Sequence, residues 1–179
     1  GRPVTLFVRI NPLDGGMAAD DLAAVLPGRP DGIVLLKAEG AASLRGLDAL
    51  LGASDARILP IATETPAAMF RLGEYGGVTE RLIGLTWGAE DLSAAIGARS
   101  AREADGRYTE PYKLARSLTL FGAAAAGVAP IETVYPDFRD LDGLARYAAD
   151  AARDGFTGMM AIHPAQVAVI NAAFTPSDA

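Results

Sequence analysis

Short runs rich in Val, Ile and Leu recur at residues 4–10, 32–37, 57–63, 81–87, 129–134 and 158–163, each followed by turn residues and an Ala/Leu-rich stretch. Apolar runs of this length read as buried parallel strands, and apolar positions at 3.6-residue spacing as crossover helices, so the pattern predicts βα units around a parallel sheet. Helices are expected at 18–26, 41–51, 66–75, 90–97, 111–126, 141–153 and 164–173. Successive strands begin 24 to 29 residues apart, except for a gap of 48 between the fourth and fifth. That interval holds an extra short helix and a polar stretch, 98–109, with Arg99, Arg102, Glu103, Asp105, Gly106 and Arg107. It reads as a long surface loop with a solvated charged face, whose arginines could reach a phosphate-bearing ligand.

Six such units leave two architectures open, a barrel or an open doubly wound sheet. No Gly-x-Gly-x-x-Gly follows the first strand and no Walker-type lysine loop occurs, which removes the usual reason for the open sheet. The expectation is therefore a TIM (β/α)8 barrel with its first two strands absent from the chain. No stretch has the composition of an interdomain linker, so residues 1–179 read as one domain. The opening Gly1-Arg2-Pro3 runs almost directly into a strand, without an initiator Met or a charged-then-apolar leader, so an N-terminus further upstream is expected.

Charge and composition narrow the partners. Twenty-two acidic groups against 16 basic ones give a net charge of −6, which lacks the basic footprint of a nucleic-acid binder. With no cysteine there are no disulfides, thiolate metal sites or thiol nucleophiles, and the cytoplasm is the expected compartment. The longest apolar run, 118–131, is broken by Thr119, Gly122, Gly127 and Pro130 and is too short to span a membrane.

In a (β/α) barrel the reacting groups stand at the C-terminal ends of strands. Five of the six predicted strands carry a polar or charged residue there: Arg9 in the first, Lys37 (with Glu39 after it) in the second, Glu64 after the third, Asp91 after the fourth and His163 at the sixth. Two carboxylates on neighbouring strand ends, without a His or Cys cluster, are what a hard cation such as Mg2+ asks for, its other positions being left to water and substrate oxygens. Glu64 and Asp91 suit that role. Arg9 offers a planar fork to a carboxylate and Lys37 a compact positive charge.

Plainer roles compete. Asp91 could be the N-cap of the next helix and Glu64 an acid favoured by a helix dipole. Lys37 and Glu39 could form a rim salt bridge. His163 could be a buried hydrogen-bonding post or a proton-transfer group. Tyr135, Asp137 and Asp140 weigh towards structure, with Asp140 as a helix cap, and Met159 and Met160 towards core filling.

Taken together, Val8-Arg9-Ile10-Asn11, residues 31–39, Glu64-Thr65-Pro66, Gly88-Ala89-Glu90-Asp91-Leu92, Gly155-Phe156-Thr157-Gly158 and Ile162-His163-Pro164-Ala165-Gln166 resemble the HpcH/HpaI aldolase and citrate lyase family, on the branch of the citrate lyase beta subunit and the malyl-CoA and citramalyl-CoA lyases. The resemblance implies a barrel in which Glu64 and Asp91 hold Mg2+, Arg9 contacts the acyl or keto-acid portion, and the backbone amides around Gly88, Ala89 and Glu90 bind the substrate carboxylate; Arg9 and Lys37 are the candidate catalytic residues. The implied reaction is reversible cleavage of a 3-hydroxyacyl-CoA thioester, such as citryl-, malyl- or citramalyl-CoA, into a 2-oxo acid and acetyl-CoA. It also implies a homo-oligomer, trimer or hexamer. Leu36 stands where the family usually has Pro, and Glu132 where it usually has Asp. The family's first two strands would fall before Gly1, and a C-terminal lid after Ala179. Two other functions stand beside the lyase: a class II aldolase acting on free hydroxy-keto acids without CoA, and a non-catalytic ligand-binding or regulatory subunit.

Overall fold

The computed structural model describes residues 4–176; Gly1-Arg2-Pro3, and the segments expected before Gly1 and after Ala179, lie outside the described residues. Six strands alternate with helices: β1 Phe7–Ile10, α1 Ala18–Val25, β2 Gly32–Leu35, α2 Ala41–Leu51, β3 Arg57–Pro60, α3 Pro66–Met69, β4 Gly84–Thr86, α4 Glu90–Ala95, α5 Glu110–Ala126, β5 Ala129–Glu132, α6 Leu141–Asp154, β6 Gly158–Met159 and α7 Pro164–Phe174. Every predicted strand is present, but each is shorter than its apolar run. Four strands are shortened at the C-terminal end, where the chain turns to present side chains, whereas β1 is shortened at its start and β4 at both ends.

All strand pairs are parallel, in the order β1-β2-β3 and β4-β5-β6. The two ladders are joined by parallel bridges from Ile58 to Leu82 and from Ile61 to Thr86, and by the Ala62 N–H donating to the Thr86 carbonyl at 2.8 Å. Spatial order thus follows sequence order, with no reversal of the kind that makes a doubly wound sheet.

The array is curled. Met160, just past β6, packs against the cluster of Val34, Leu59 and Ile61 on β2 and β3. In a flat sheet β3 and β6 would be about 14 Å apart at the usual interstrand spacing, too far for that contact. On the convex side Ile10, Ile33, Leu35, Ile58 and Leu85 meet Leu44, Leu47 and Ala123 of the helices in the main core. Alternation along β1 therefore sends Val8 and Ile10 outwards to the helices and Phe7 and Arg9 inwards. Gly32 is required beneath Phe7, because a Cβ there would lie 2.1 Å from the ring.

The expected helix 66–75 breaks after Met69, and a 3-10 turn, Leu72–Glu74, follows. Tertiary contacts override the local pattern here. Tyr75 is fully buried, its hydroxyl donating to the Ala38 carbonyl and accepting from the Gly40 N–H, both at 3.1 Å. Among the described residues no helix is long and apolar enough to cross a membrane.

Candidate active site

Beyond the ladder, at the C-terminal ends of the strands, lies a cleft of about 270 Å³ lined by Arg9, Ile61, Glu64, Thr86, Trp87, Gly88, Ala89, Glu90, Asp91, Tyr108, Thr133, Val134 and Met160. The curl of the sheet brings Arg9 of β1 to the same cleft as residues following β4, β5 and β6. Lys37 joins from the end of β2, its Nζ 3.3 Å from the Asp91 carboxylate. The structure therefore gathers all seven residues predicted for metal, substrate and reacting groups into one neighbourhood.

Glu64 is the most constrained of them. It lies four residues beyond β3, directly before Thr65, which caps α3 by accepting the Ala68 N–H at 3.1 Å. The Glu64 side chain, 5 % exposed, turns away from that helix and accepts the Lys37 backbone N–H at 2.6 Å. Lys37 directs its amide there by adopting φ +50°, a left-handed conformation that costs a non-glycine residue about 1 kcal/mol or more. Burial pushes the Glu64 carboxyl up from 4.5 to about 7, and the adjacent Asp91 carboxylate adds to burial, against the lowering effects of the Lys37 amide and ammonium. Asp91 is half-exposed and is not the expected N-cap. Ala89 occupies that position, without a side-chain bond, and Asp91 sits inside the first turn of α4, free to face Lys37 and Glu64. The helix-dipole role for Glu64 is likewise not what its side chain does.

Glu39 does not pair with Lys37, as the rim salt bridge would require. It accepts the Thr65 hydroxyl at 2.6 Å and so steadies the turn that carries Glu64. At β4 the Gly88 N–H is already donated to Thr63 Oγ1 at 3.1 Å, which leaves Ala89 and Glu90, at the start of α4, as the donors open to a ligand. Gly88 itself packs on Glu64, where a Cβ would lie 3.2 Å from its Cγ.

Behind the cleft sits a buried polar network that sequence reasoning did not find. Glu132, fully buried at the end of β5, accepts from Trp87 Nε1 at 2.5 Å, its neighbour's Thr133 N–H at 2.9 Å, Tyr147 Oη at 3.0 Å and Arg116 Nε at 2.6 Å. Arg116 also bonds Asp154 at 2.8 Å. Burial works against the Arg116 charge, but Glu132 and Asp154 more than offset it and raise its pKa. Trp87 and Thr133 are walls of the cleft, so the network holds two of its sides. The loop 98–109 supplies another. Rather than forming only a solvated face, it folds back through an Arg102–Tyr108 bridge, places the Arg102 guanidinium 3.9 Å over the Tyr108 ring, and packs Tyr108 edge-on against Trp87 at 5.0 Å. Arg107 is paired with Asp105 at 2.7 Å. One aromatic residue in a charged stretch was the only available signal.

His163 is neither buried nor placed at the cleft. Its Nδ1 accepts the Ala165 N–H at 3.2 Å and Gln166 bonds back, a capping box for α7, while the ring stacks on Phe138 at 4.5 Å. Asp140 caps α6 as expected, accepting the Gly143 N–H at 2.8 Å. Met159 and Met160 are half-buried, with Met160 on the inner cluster and in the cleft.

The chain is thus a parallel α/β protein with two carboxylates, a lysine and an arginine gathered beyond the strand ends. The profile of the HpcH/HpaI aldolase/citrate lyase family matches residues 2–164, and the chain belongs to that family. It is 37% identical over 180 residues to a citrate lyase subunit beta-like protein of Mycobacterium tuberculosis, covering 98% of this chain and 61% of that one. It is 35% identical over 187 residues to mitochondrial citramalyl-CoA lyase of Mus musculus, covering 95% of this chain and 54% of the relative. The chain thus spans between half and two thirds of the length of these relatives. Among solved structures, the M. tuberculosis protein CitE in complex with magnesium, acetoacetate and coenzyme A superposes with a TM-score of 0.84 at 35% identity, over 96% of this chain and 61% of that one.

Proposed function

We propose that this chain carries the active site of a Mg2+-dependent carbon–carbon lyase, cleaving a citryl-, malyl- or citramalyl-CoA type thioester reversibly into a 2-oxo acid and acetyl-CoA. The observation that carries this reading is the meeting of Glu64 and Asp91 at one cleft, beside Lys37 and Arg9. Among the described residues no three His, Cys, Asp or Glu side chains gather as a metal cage. Two carboxylates suit Mg2+, which keeps positions for water and substrate oxygens. The fit is also electrostatic: a buried acid facing a second carboxylate favours either a proton or a cation between them.

On this reading Glu64 and Asp91 would hold the ion. Bound there, Mg2+ would supply Lewis acidity at the oxygen that becomes the keto carbonyl. Arg9 would take the carboxylate of the 2-oxo acid through its planar fork, with the Ala89 and Glu90 amides as further donors. Lys37 would place positive charge near the departing thioester enolate. Relatives were solved with magnesium and with oxaloacetate, pyruvate or coenzyme A, which supports the same ligand classes here. The fold reading extends likewise: six parallel strands in sequence order, curled, are six staves of a (β/α)8 barrel, which two more strands between β6 and β1 would close. On this reading the described residues, 4–176, would be one part of such a barrel domain.

The test is turnover with Mg2+, acetyl-CoA and glyoxylate or pyruvate, following formation of malyl-CoA or citramalyl-CoA and, in the reverse direction, release of the 2-oxo acid, together with calorimetric Mg2+ titration. Asp91→Asn should weaken Mg2+ binding at least about tenfold and abolish cleavage, without unfolding the protein, since its carboxylate is half-exposed. Unchanged Mg2+ affinity in that variant overturns the site. Wild-type ligand binding without turnover would instead mark a binding subunit, and cleavage of free hydroxy-keto acids a class II aldolase.

A further inference from the structure

On β4 Leu85 faces the helices in the main core, so Gly84 and Thr86 face the concave side, where a Cβ on Gly84 would lie 3.2 Å from Leu59 Cδ1. Thr86 is flanked in register by Ile61 on one side and Ile131 on the other. Its backbone is spent on the sheet, the carbonyl accepting the Ala62 N–H at 2.8 Å. Its side chain is 1 % exposed, and its hydroxyl has no hydrogen-bond partner in the protein. A hydroxyl between two isoleucines is out of place on packing grounds alone. Valine has the same shape, fits such a position and carries no desolvation penalty. Buried polar groups without partners are few in native proteins, and each calls for an explanation.

Thr86 also lines the cleft that holds Arg9, Glu64 and Asp91, on its apolar wall beside Ile61. Resting on the lyase reading above, we propose that Thr86 Oγ1 is a binding and specificity-determining group, its O–H donating to an oxygen of the small 2-oxo acid. The cleft, at about 270 Å³, is large enough for a small acid. The charged rim fixes one end of such a ligand. The Thr86 hydroxyl then favours acids that present an oxygen to it over isosteres that present a methyl group, since a site built around a hydrogen bond discriminates more sharply than an apolar one.

The consequence is a pair of opposite effects from one substitution. Thr86→Val removes a hydroxyl that is unsatisfied without ligand, so the melting temperature of the ligand-free chain should rise by about 2–4 °C. The same change should weaken Mg2+-dependent binding of pyruvate or oxaloacetate about tenfold or more by calorimetry, with Mg2+ affinity itself unchanged. Thr86→Ser keeps the hydroxyl and should bind within about threefold of wild type. Equal binding by wild type and Thr86→Val overturns the inference, and a fall in melting temperature with that result assigns the hydroxyl to a structural water. Wild type that binds neither acid overturns the lyase reading, and this inference with it.

Discussion

The Glu132 network gives the sharpest physical test of how the cleft is held. Arg116→Met keeps most of the stem volume and removes the guanidinium that neutralises a carboxylate with no solvent exposure. Breaking a buried pair by removing one partner costs about 3–5 kcal/mol, because the remaining charge stays buried. Trp87, Tyr147 and the Thr133 amide still donate to Glu132, so the lower end, about 3 kcal/mol, is expected here. Glu132→Gln alone should cost less, about 1–2 kcal/mol, since Arg116 keeps Asp154 and is itself partly exposed. The double variant should then recover about 2 kcal/mol relative to the sum, because neither charge is left alone. Trp87 is the only tryptophan and its indole N–H bonds Glu132, so its fluorescence during urea unfolding reads both global stability and the local bond. A cost below about 1 kcal/mol for Arg116→Met, or strict additivity in the double variant, would show that the pair does not act as drawn.

Two further expectations follow from Glu64 and its support. Glu64 titrates near 7 folded and near 4.5 unfolded, so between those values the folded chain holds a proton that the unfolded chain has released. Metal-free stability should therefore fall as pH rises from about 4.5 to 7 and level off above, by at most a few kcal/mol, and Glu64→Gln should flatten that slope in urea unfolding at several pH values. A slope that persists in the variant would assign the effect to other groups. Glu39→Gln, whose amide oxygen can still accept the Thr65 hydroxyl, should shift Mg2+ affinity by less than about threefold, and a loss as large as that of Asp91→Asn would place Glu39 among the ligands.

Much of the fold was readable along the chain because burial in a parallel α/β protein is nearly one-dimensional. Apolar runs such as 32–35 mark strands, Ala/Leu spacing marks crossover helices, and a charged residue at the end of an apolar run stands out. That logic singled out Arg9, Lys37, Glu64 and Asp91, which the structure brings to one cleft, and Asp140 as a cap, since a cap is a local event. It overran strand ends, because the apolar run continues past the point where the ladder stops, and it missed the break after Met69, which Tyr75 imposes through contacts about 35 residues away in sequence.

The amino-acid sequence on its own determined which segments are strands and which acids stand at their ends, because each depends on residues a few positions apart. What those ends meet depends on how the chain packs in three dimensions. The curl that carries Arg9 to the far strands, the turn of Lys37 that aims an amide at Glu64, the Trp87–Glu132 bond across 45 residues, and the unpartnered Thr86 hydroxyl all depend on strand register and helix packing. Register converts distance along the chain into contact, and no local pattern encodes the partner.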